Sequence, residues 1–174
     1  GPVAGTSAWA AGIVCAHGRA LALLERERSG KGQWVDTSLL EAMIFLLDCQ
    51  AASWTFDRKV PPQAGNHHPS IAPMGAFKTK DGYINMAPMP EMWERFCKTT
   101  GLDALIDDAR FATFDDRYDN RPALIEEIEK ATVTQTTAHW TELLNDARIP
   151  CGPIYTLDEA FADPQIIHTG IAKK

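Results

Sequence analysis

The run Gly65-Asn66-His67-His68-Pro69-Ser70 gathers hydrogen-bonding side chains beside a glycine. Asn66, His67 and His68 supply donors and acceptors, and Gly65 lets a ligand approach the backbone closely. Adjacent histidines are not a metal pattern here, because no acid stands at a useful spacing, so no metal site is expected. The competing reading is a loop that only connects two parts of the fold, and the residues alone leave both readings open.

Other reactive residue types carry plainer expectations. Cys15, Cys49, Cys97 and Cys151 are spread along the chain without a CxxC spacing. That predicts reduced, mostly buried thiols in a cytoplasmic protein. Cys151 sits in a Pro-Cys-Gly-Pro turn with no base partner in sequence, which argues against a catalytic thiol. His17 falls on an apolar helical stripe and reads as a packed core histidine. Arg110, Arg117 and Arg121 stand in an acidic segment and read as structural ion-pair partners rather than an anion site. Ser29-Gly30-Lys31-Gly32 resembles part of a phosphate loop but follows a helix and lacks the leading glycine spacing, so it reads as a helix stop.

Composition narrows the function classes. The 174 residues suffice for a domain with a real core, and 45% hydrophobic with 23% charged residues is ordinary globular usage. A formal net charge of −6 argues against nucleic acid or an anionic membrane as partner. No apolar run reaches the length of about 20 residues that a membrane span needs, so no such helix is expected. No basic region precedes the first apolar stretch, so no signal peptide is expected either.

The elements that must position these residues follow from periodicity. Residues 9 to 28 predict a helix, with Ile13, Val14, His17, Leu21 and Leu24 on one face. A second helix is expected over 37 to 56, capped by Asp36, Thr37 or a Ser38–Glu41 capping box. It is apolar nearly all round, from Leu39 to Leu47, and a helix of that kind must be buried on every side. A Pro- and Gly-rich loop follows, long enough to suggest a functional or linking role. "AFKTKDGYINMAP" predicts a β-hairpin turning at Asp81-Gly82. Pro90 starts a helix that Gly101 ends, and residues 102 to 107 form a short turn. Further helices are expected over 120 to 131, with Pro122 in the first turn, and over 136 to 147, with Trp140, Leu143 and Leu144 inward. "IPCGPIYTL" reads as extended, and "LDEAFAD" and "PQIIHTG" as short helices. The class is α+β, with no βαβ repeat.

Four stretches together resemble the class III CoA-transferases, a family that includes formyl-CoA transferase, carnitine CoA-transferase and the α-methylacyl-CoA racemases. "ALALLERERSGKGQWVDTSLLEAM" at 20 to 43 is similar to the family's "ALxxRxxTGxGQxVDxSLLEAM". "GNHHPSIAPMGAFKTKDGYINMA" at 65 to 87 resembles "GNxHPxxAPYGxFxTxDGxIxIA", with Met74 where tyrosine is usual. "DDARFATFDDRYDNRPAL" at 107 to 124 resembles "DPRFxTxxxRxxNRxxL", with Ala109 in place of proline. "IPCGPIYTLDEAFADPQI" at 149 to 166 is close to "VPCGPVxxxxEaxxDPQ". Each is weak alone; their order and coverage make the resemblance specific.

The resemblance implies a central fragment of an interlocked, dimeric fold: long linker helices plus a small domain with a β-hairpin and several short helices. The implied division is a helical segment of the large domain at 1–56, a linker loop at 57–73 and a small α+β domain at 74–174. Coenzyme A or acyl-CoA is then the family's substrate together with a carboxylic acid, and none is expected bound to the fragment. The expected partner is a second copy or a missing N-terminal chain. No nucleic acid or membrane partner is implied, and the location is cytoplasmic.

The family's chemistry, by resemblance, uses one aspartate that attacks an acyl-CoA thioester, forms a mixed anhydride and then an aspartyl-CoA thioester that the acceptor acid resolves. That aspartate lies in a pattern like "xDWxAG". Trp9, Ala10, Ala11 and Gly12 match the pattern, so the nucleophile position falls on Ala8. A methyl group can neither attack a thioester nor move a proton, so the resemblance implies a chain inactive by itself. Gly65, Asn66 and His68 match the loop that lies near the acyl end of the family's site. Acyl-CoA racemisation and a non-catalytic self-associating module are the rival functions.

Overall fold

The computed structural model describes residues 2–171, with side chains described from Gly5 onward. Gly1 and the last three residues, which belong to the expected outer segments, lie outside the described residues. The chain divides into two compact units between Pro62 and Gln63.

The first unit is helical. α1 runs over Pro2–Ser29, α2 over Leu39–Leu46 and α3 over Cys49–Asp57. α1 starts well before the predicted position, because the alanine-rich lead-in has high helix propensity and Pro2 suits a first turn. Arg26 and Arg28 in its last turn face the negative end of the helix dipole. Gly30, at φ +71°, donates its N–H to the Arg26 carbonyl at 2.8 Å and stops the helix, as the Ser-Gly-Lys-Gly reading requires. At Gly18 an added Cβ would lie 2.8 Å from Val35 Cγ1, so the glycine lets the returning segment run against α1.

The structure selects Ser38 from the possible caps of α2. Glu41 N–H donates to Ser38 Oγ at 3.1 Å, and Ser38 N–H donates to Glu41 Oε2 at 2.8 Å. The single helix expected over 37 to 56 is two helices bent by 86°. Asp48 makes the bend at φ +42°, and the last turn of α2 tightens as Leu47 N–H donates to the Ile44 carbonyl at 3.1 Å. No glycine or proline marks this break, and Asp48, at ψ −113°, lies outside the left-handed helical region that aspartate otherwise tolerates.

Burial in this unit departs from expectation. Of α2 only Ala42 is buried, and Phe45 is 76% exposed. Within the unit α2 packs one face on α1, which leaves its other apolar faces uncovered. His17 is exposed rather than packed in a core: it lines an open groove between α1 and α2 with Ile13, Val14, Ala42 and Phe45. The thiols also differ from expectation: Cys97 is buried, Cys15 and Cys151 are half-buried and Cys49 is exposed, all unbridged. Within Gly5–Ser29 of α1 an 18-residue stretch, at mean hydropathy 1.3, is long and apolar enough to cross a membrane by length and composition alone. His17 and Arg19 interrupt the apolar run, which is why no helix of this kind is expected from an unbroken stretch, while the alanines and leucines around them keep the average high.

The second unit builds its core on a three-stranded antiparallel sheet in the order β1 (Gly75–Lys78), β2 (Tyr83–Met86), β3 (Cys151–Pro153). Phe77 opposes Ile84 and Gly75 opposes Met86, so Phe77, Ile84 and Met86 all face inward while Lys78, Tyr83 and Asn85 point out. The expected two-residue turn at Asp81-Gly82 is instead a four-residue connection, since Lys78 pairs with Tyr83. Thr79 N–H donates to the Gly82 carbonyl at 2.9 Å, and Gly82 keeps an ordinary φ. Asp81 is drawn away from a tight turn by a bond to a distant helix.

That helix is α7 (Thr137–Asp146), which packs on β2 and β3 while α6 (Arg121–Thr132) packs on β1; α4 (Trp93–Thr100) lies against α7, α5 (Phe114–Asp119) against α6, and α8 (Leu157–Ala162) against α9 (Pro164–Thr169). α5 has no counterpart among the predicted elements; a Thr113–Asp116 capping box starts it. Gly101 closes α4 at φ +74°. Phe96, Phe111, Leu124, Ile128, Trp140 and Leu144 fill the core against the sheet. Leu143 is only partly buried.

Candidate functional site

The loop that carries Gly65, Asn66 and His68 is tied to the outer edge of β1. His68 N–H donates to the Met74 carbonyl at 2.8 Å, and Ala76 N–H donates to the Asn66 carbonyl at 3.1 Å. These two bonds form an isolated antiparallel bridge between His67 and Gly75. A sheet edge otherwise left open is thereby paired. Further along the same edge Lys78 N–H donates to Glu129 Oε1 at 3.0 Å, and the Lys78 carbonyl accepts from Thr132 Oγ1 at 2.6 Å. β1 is therefore held on its free side by the loop at one end and by α6 at the other.

Gly75 makes the close approach possible. Its φ is +152°, and an added Cβ would lie 2.5 Å from both the Asn66 carbonyl oxygen and His67 Nδ1. The sequence expectations did not single out this residue, although a glycine at the head of a strand and after a Pro-Met pair was the available signal. Gly65 stands at φ +60° with open space around it, so its role is conformational rather than steric.

The adjacent histidines do different things. His67 turns inward and meets the Phe77 ring edge-on at 5.4 Å between centroids. Burial pushes its pKa down, and the nearby Arg121 charge pushes the same way, while Glu129 opposes them. His68 is half-buried and folds its ring back on its own loop. Its Nδ1 accepts the Ser70 N–H at 3.2 Å and the Ile71 N–H at 3.1 Å, with Ser70 Oγ at 3.3 Å.

Ala8 lies inside α1, in the first unit, and is exposed. Gly65, Asn66 and His68 lie together in the second unit. The described residues hold no group of three or more His, Cys, Asp or Glu side chains able to bind a metal.

The three arginines separate into distinct roles. Arg110 is a true ion pair, with Nη2 2.7 Å from Asp108 Oδ2. Arg117 and Arg121 form no salt bridge among the described residues, contrary to expectation. Arg117 is only 5% exposed; its Nη1 donates to the Phe111 carbonyl at 3.0 Å, and its guanidinium lies 4.9 Å from the Trp93 ring centroid. Carbonyls at Nη1 and an indole face take the place of a carboxylate, while the buried Nε has no hydrogen-bond partner among the described residues. Arg121 lies 4.7 Å from the Tyr118 ring centroid. Cys151 is held as an inert thiol: Sγ donates to the Thr141 carbonyl at 3.7 Å, and burial pushes its pKa up.

Comparison with known proteins completes the picture. The family model described as CoA-transferase family III matches residues 4–174. A succinyl-CoA:glutarate CoA-transferase of Mus musculus is 36% identical over 158 residues, which is 90% of this chain and 36% of that protein. An acetyl-CoA:oxalate CoA-transferase of Acetobacter aceti is 33% identical over 88% of this chain and 40% of its own length. Among solved structures, Rv3272 from M. tuberculosis matches with a TM-score of 0.79 at 26% identity, covering 91% of this chain and 41% of that one. A CAIB/BAIF family protein from Brucella suis matches with a TM-score of 0.69 at 35% identity, covering 86% and 40%. This chain thus spans well under half the length of the relatives it matches.

Proposed function

As this chain belongs to CoA-transferase family III, we propose that it is part of an enzyme that moves CoA between carboxylic acids. The match over residues 4–174, together with relatives acting on succinyl-CoA with glutarate and acetyl-CoA with oxalate, supports that reading. A chain covering 36% to 40% of such relatives carries part of their machinery. Its substrates are an acyl-CoA and a carboxylic acid, and the complete protein is a homodimer or an assembly with a second chain that supplies the rest of the machinery.

In this reading Ala8 occupies the place of the nucleophilic carboxylate. The transfer needs a side chain that attacks a thioester carbonyl and then leaves, and a methyl group can do neither. The chain as it stands is therefore inactive. The Gly65–His68 loop contributes to the acyl end of the site, supported by its rigid pairing to β1 and by the exposed position of Asn66.

The test is CoA transfer from succinyl-CoA to glutarate by the complete protein whose reading frame contains these residues. The protein with Ala8 should show no transfer above background, and Ala8→Asp should raise it by at least about a thousandfold. Equal transfer by both proteins would sink the assignment of Ala8, and no transfer by either would sink the CoA-transferase reading.

A second reading rests on one specific observation. Trp9, Leu40, Phe45 and Phe56 are all exposed on the first unit, the kind of surface that drives self-association. A non-catalytic assembly module would keep this surface and show no dependence of any activity on position 8.

A further inference from the structure

The bonding around His68 fixes more than its position. Two backbone N–H groups, from Ser70 and Ile71, point at the same ring nitrogen, Nδ1. A backbone amide can only donate, so Nδ1 must present its lone pair to both. In that state Ser70 Oγ, at 3.3 Å, donates to it as well. A proton on Nδ1 would break this arrangement and leave the two amides without their acceptor. The ring proton therefore sits on Nε2, and Nε2 has no hydrogen-bond partner among the described residues. The backbone of the same residue is also committed, through its N–H bond to Met74.

Resting on the CoA-transferase reading above, we propose that His68 is a fixed neutral donor whose Nε2–H binds the acyl oxygen of the substrate, and that it is not a general base. Its only free lone pair is the one on Nδ1, which the loop occupies. Its only free proton is on Nε2, which matches a thioester carbonyl or the carboxylate of the acceptor acid. A donor held by its own loop needs no reorganisation when negative charge grows on that oxygen. Ser70 and Ile71 then act as positioning residues through their amides.

Nitrogen-15 NMR of the histidine-labelled chain reads the tautomer directly. The expected spectrum has an unprotonated Nδ1 and a protonated Nε2 for the signal that disappears in His68→Asn. A protonated Nδ1 overturns the proposal. The role is then read by kinetics of the complete protein in the Ala8→Asp background. His68→Asn keeps an oxygen near Nδ1 for the two amides and removes the distal donor; His68→Gln returns an N–H near the position of Nε2. His68→Asn should lower kcat/KM about a hundredfold with an unchanged pH profile, and His68→Gln should recover most of it.

A larger loss toward succinyl-CoA than toward glutarate assigns the thioester carbonyl, and the reverse assigns the acceptor carboxylate. Loss of one limb of the pH profile in His68→Asn, or full activity in that variant, overturns the donor role. Absence of transfer in the Ala8→Asp protein overturns the functional reading and the acyl ligand with it, while the tautomer is still judged by NMR.

Discussion

The carboxylate of Asp81 accepts the backbone N–H of Thr137 at 2.7 Å, joining the hairpin tip to the N-terminus of α7 across 56 positions of sequence. Thr137 Oγ1, at 3.0 Å, and Thr79 Oγ1, at 3.2 Å, donate to the same oxygen. A carboxylate at a helix N-terminus meets an orphan amide and the positive end of the helix dipole. The Thr137 amide bond is the main reason its pKa falls below the ordinary aspartate value.

The sign of the pH effect follows. A carboxylate with a lowered folded pKa stabilises the fold above its unfolded pKa, about 3.9, and loses that contribution as pH falls through the folded value. Asp81→Asn should lower Tm at neutral pH, and the gap to the parent chain should close as pH falls below the ordinary aspartate value. Thermal unfolding followed by circular dichroism at a series of pH values checks this; a gap that stays constant would exclude the charge as its cause.

Trp140 makes a second prediction. Its Nε1 donates to the Thr132 carbonyl at 2.8 Å within the core, tying α7 to the end of α6. Trp140→Phe keeps an aromatic ring but leaves that carbonyl only the long bond from the Gln135 N–H at 3.5 Å, which should cost about 1 kcal/mol in urea unfolding. The same variant should leave the His68 tautomer unchanged, because the loop is braced separately.

Gly75→Ala tests the close approach of β1 to the loop. A methyl there meets the Asn66 carbonyl and the His67 ring, and φ +152° is itself costly for a side chain. Destabilisation of about 1–3 kcal/mol is expected. Hydrogen exchange at the Ala76 and His68 amides should speed up more than exchange within α6. Uniform acceleration throughout would point instead to global loss of stability.

His67 should respond to Arg121. Burial is the first reason for its lowered pKa and the Arg121 charge the second. Arg121→Gln should therefore raise the pKa of His67 in an NMR titration without bringing it fully to the ordinary value of about 6.5. Because a neutral His67 is the folded form, its contribution to stability falls as pH drops from the unfolded toward the folded pKa. No movement on removing Arg121 would leave burial as the whole cause.

The first unit predicts association. With Phe45 76% exposed and Trp34 88% exposed, the isolated chain should sediment as an oligomer at micromolar concentration. Leu40→Glu with Phe45→Glu should shift it toward monomer. A monomeric parent chain in sedimentation velocity would show that the exposed face does not drive self-association.

Much of this protein is written locally. The helix ends at Gly30, Ser38 and Gly101 follow from side-chain and glycine chemistry that acts over a few residues. So does the two-residue alternation of the hairpin, and four ordered motifs were enough to point to the family. Short-range rules reached neither the bend at Asp48 nor the exposure of His17. They also missed α5 and the widened loop at Asp81. Each depends on what lies across from the residue: Asp81 leaves its expected turn for an amide 56 positions away, and α2 is exposed wherever α1 does not cover it. The same holds for the candidate site. Sequence named Gly65, Asn66 and His68 as a chemical possibility. Only the pairing of their loop with β1 and the two amides aimed at Nδ1 decided which ring nitrogen of His68 is free, because that choice is made by hydrogen-bond donors placed in space.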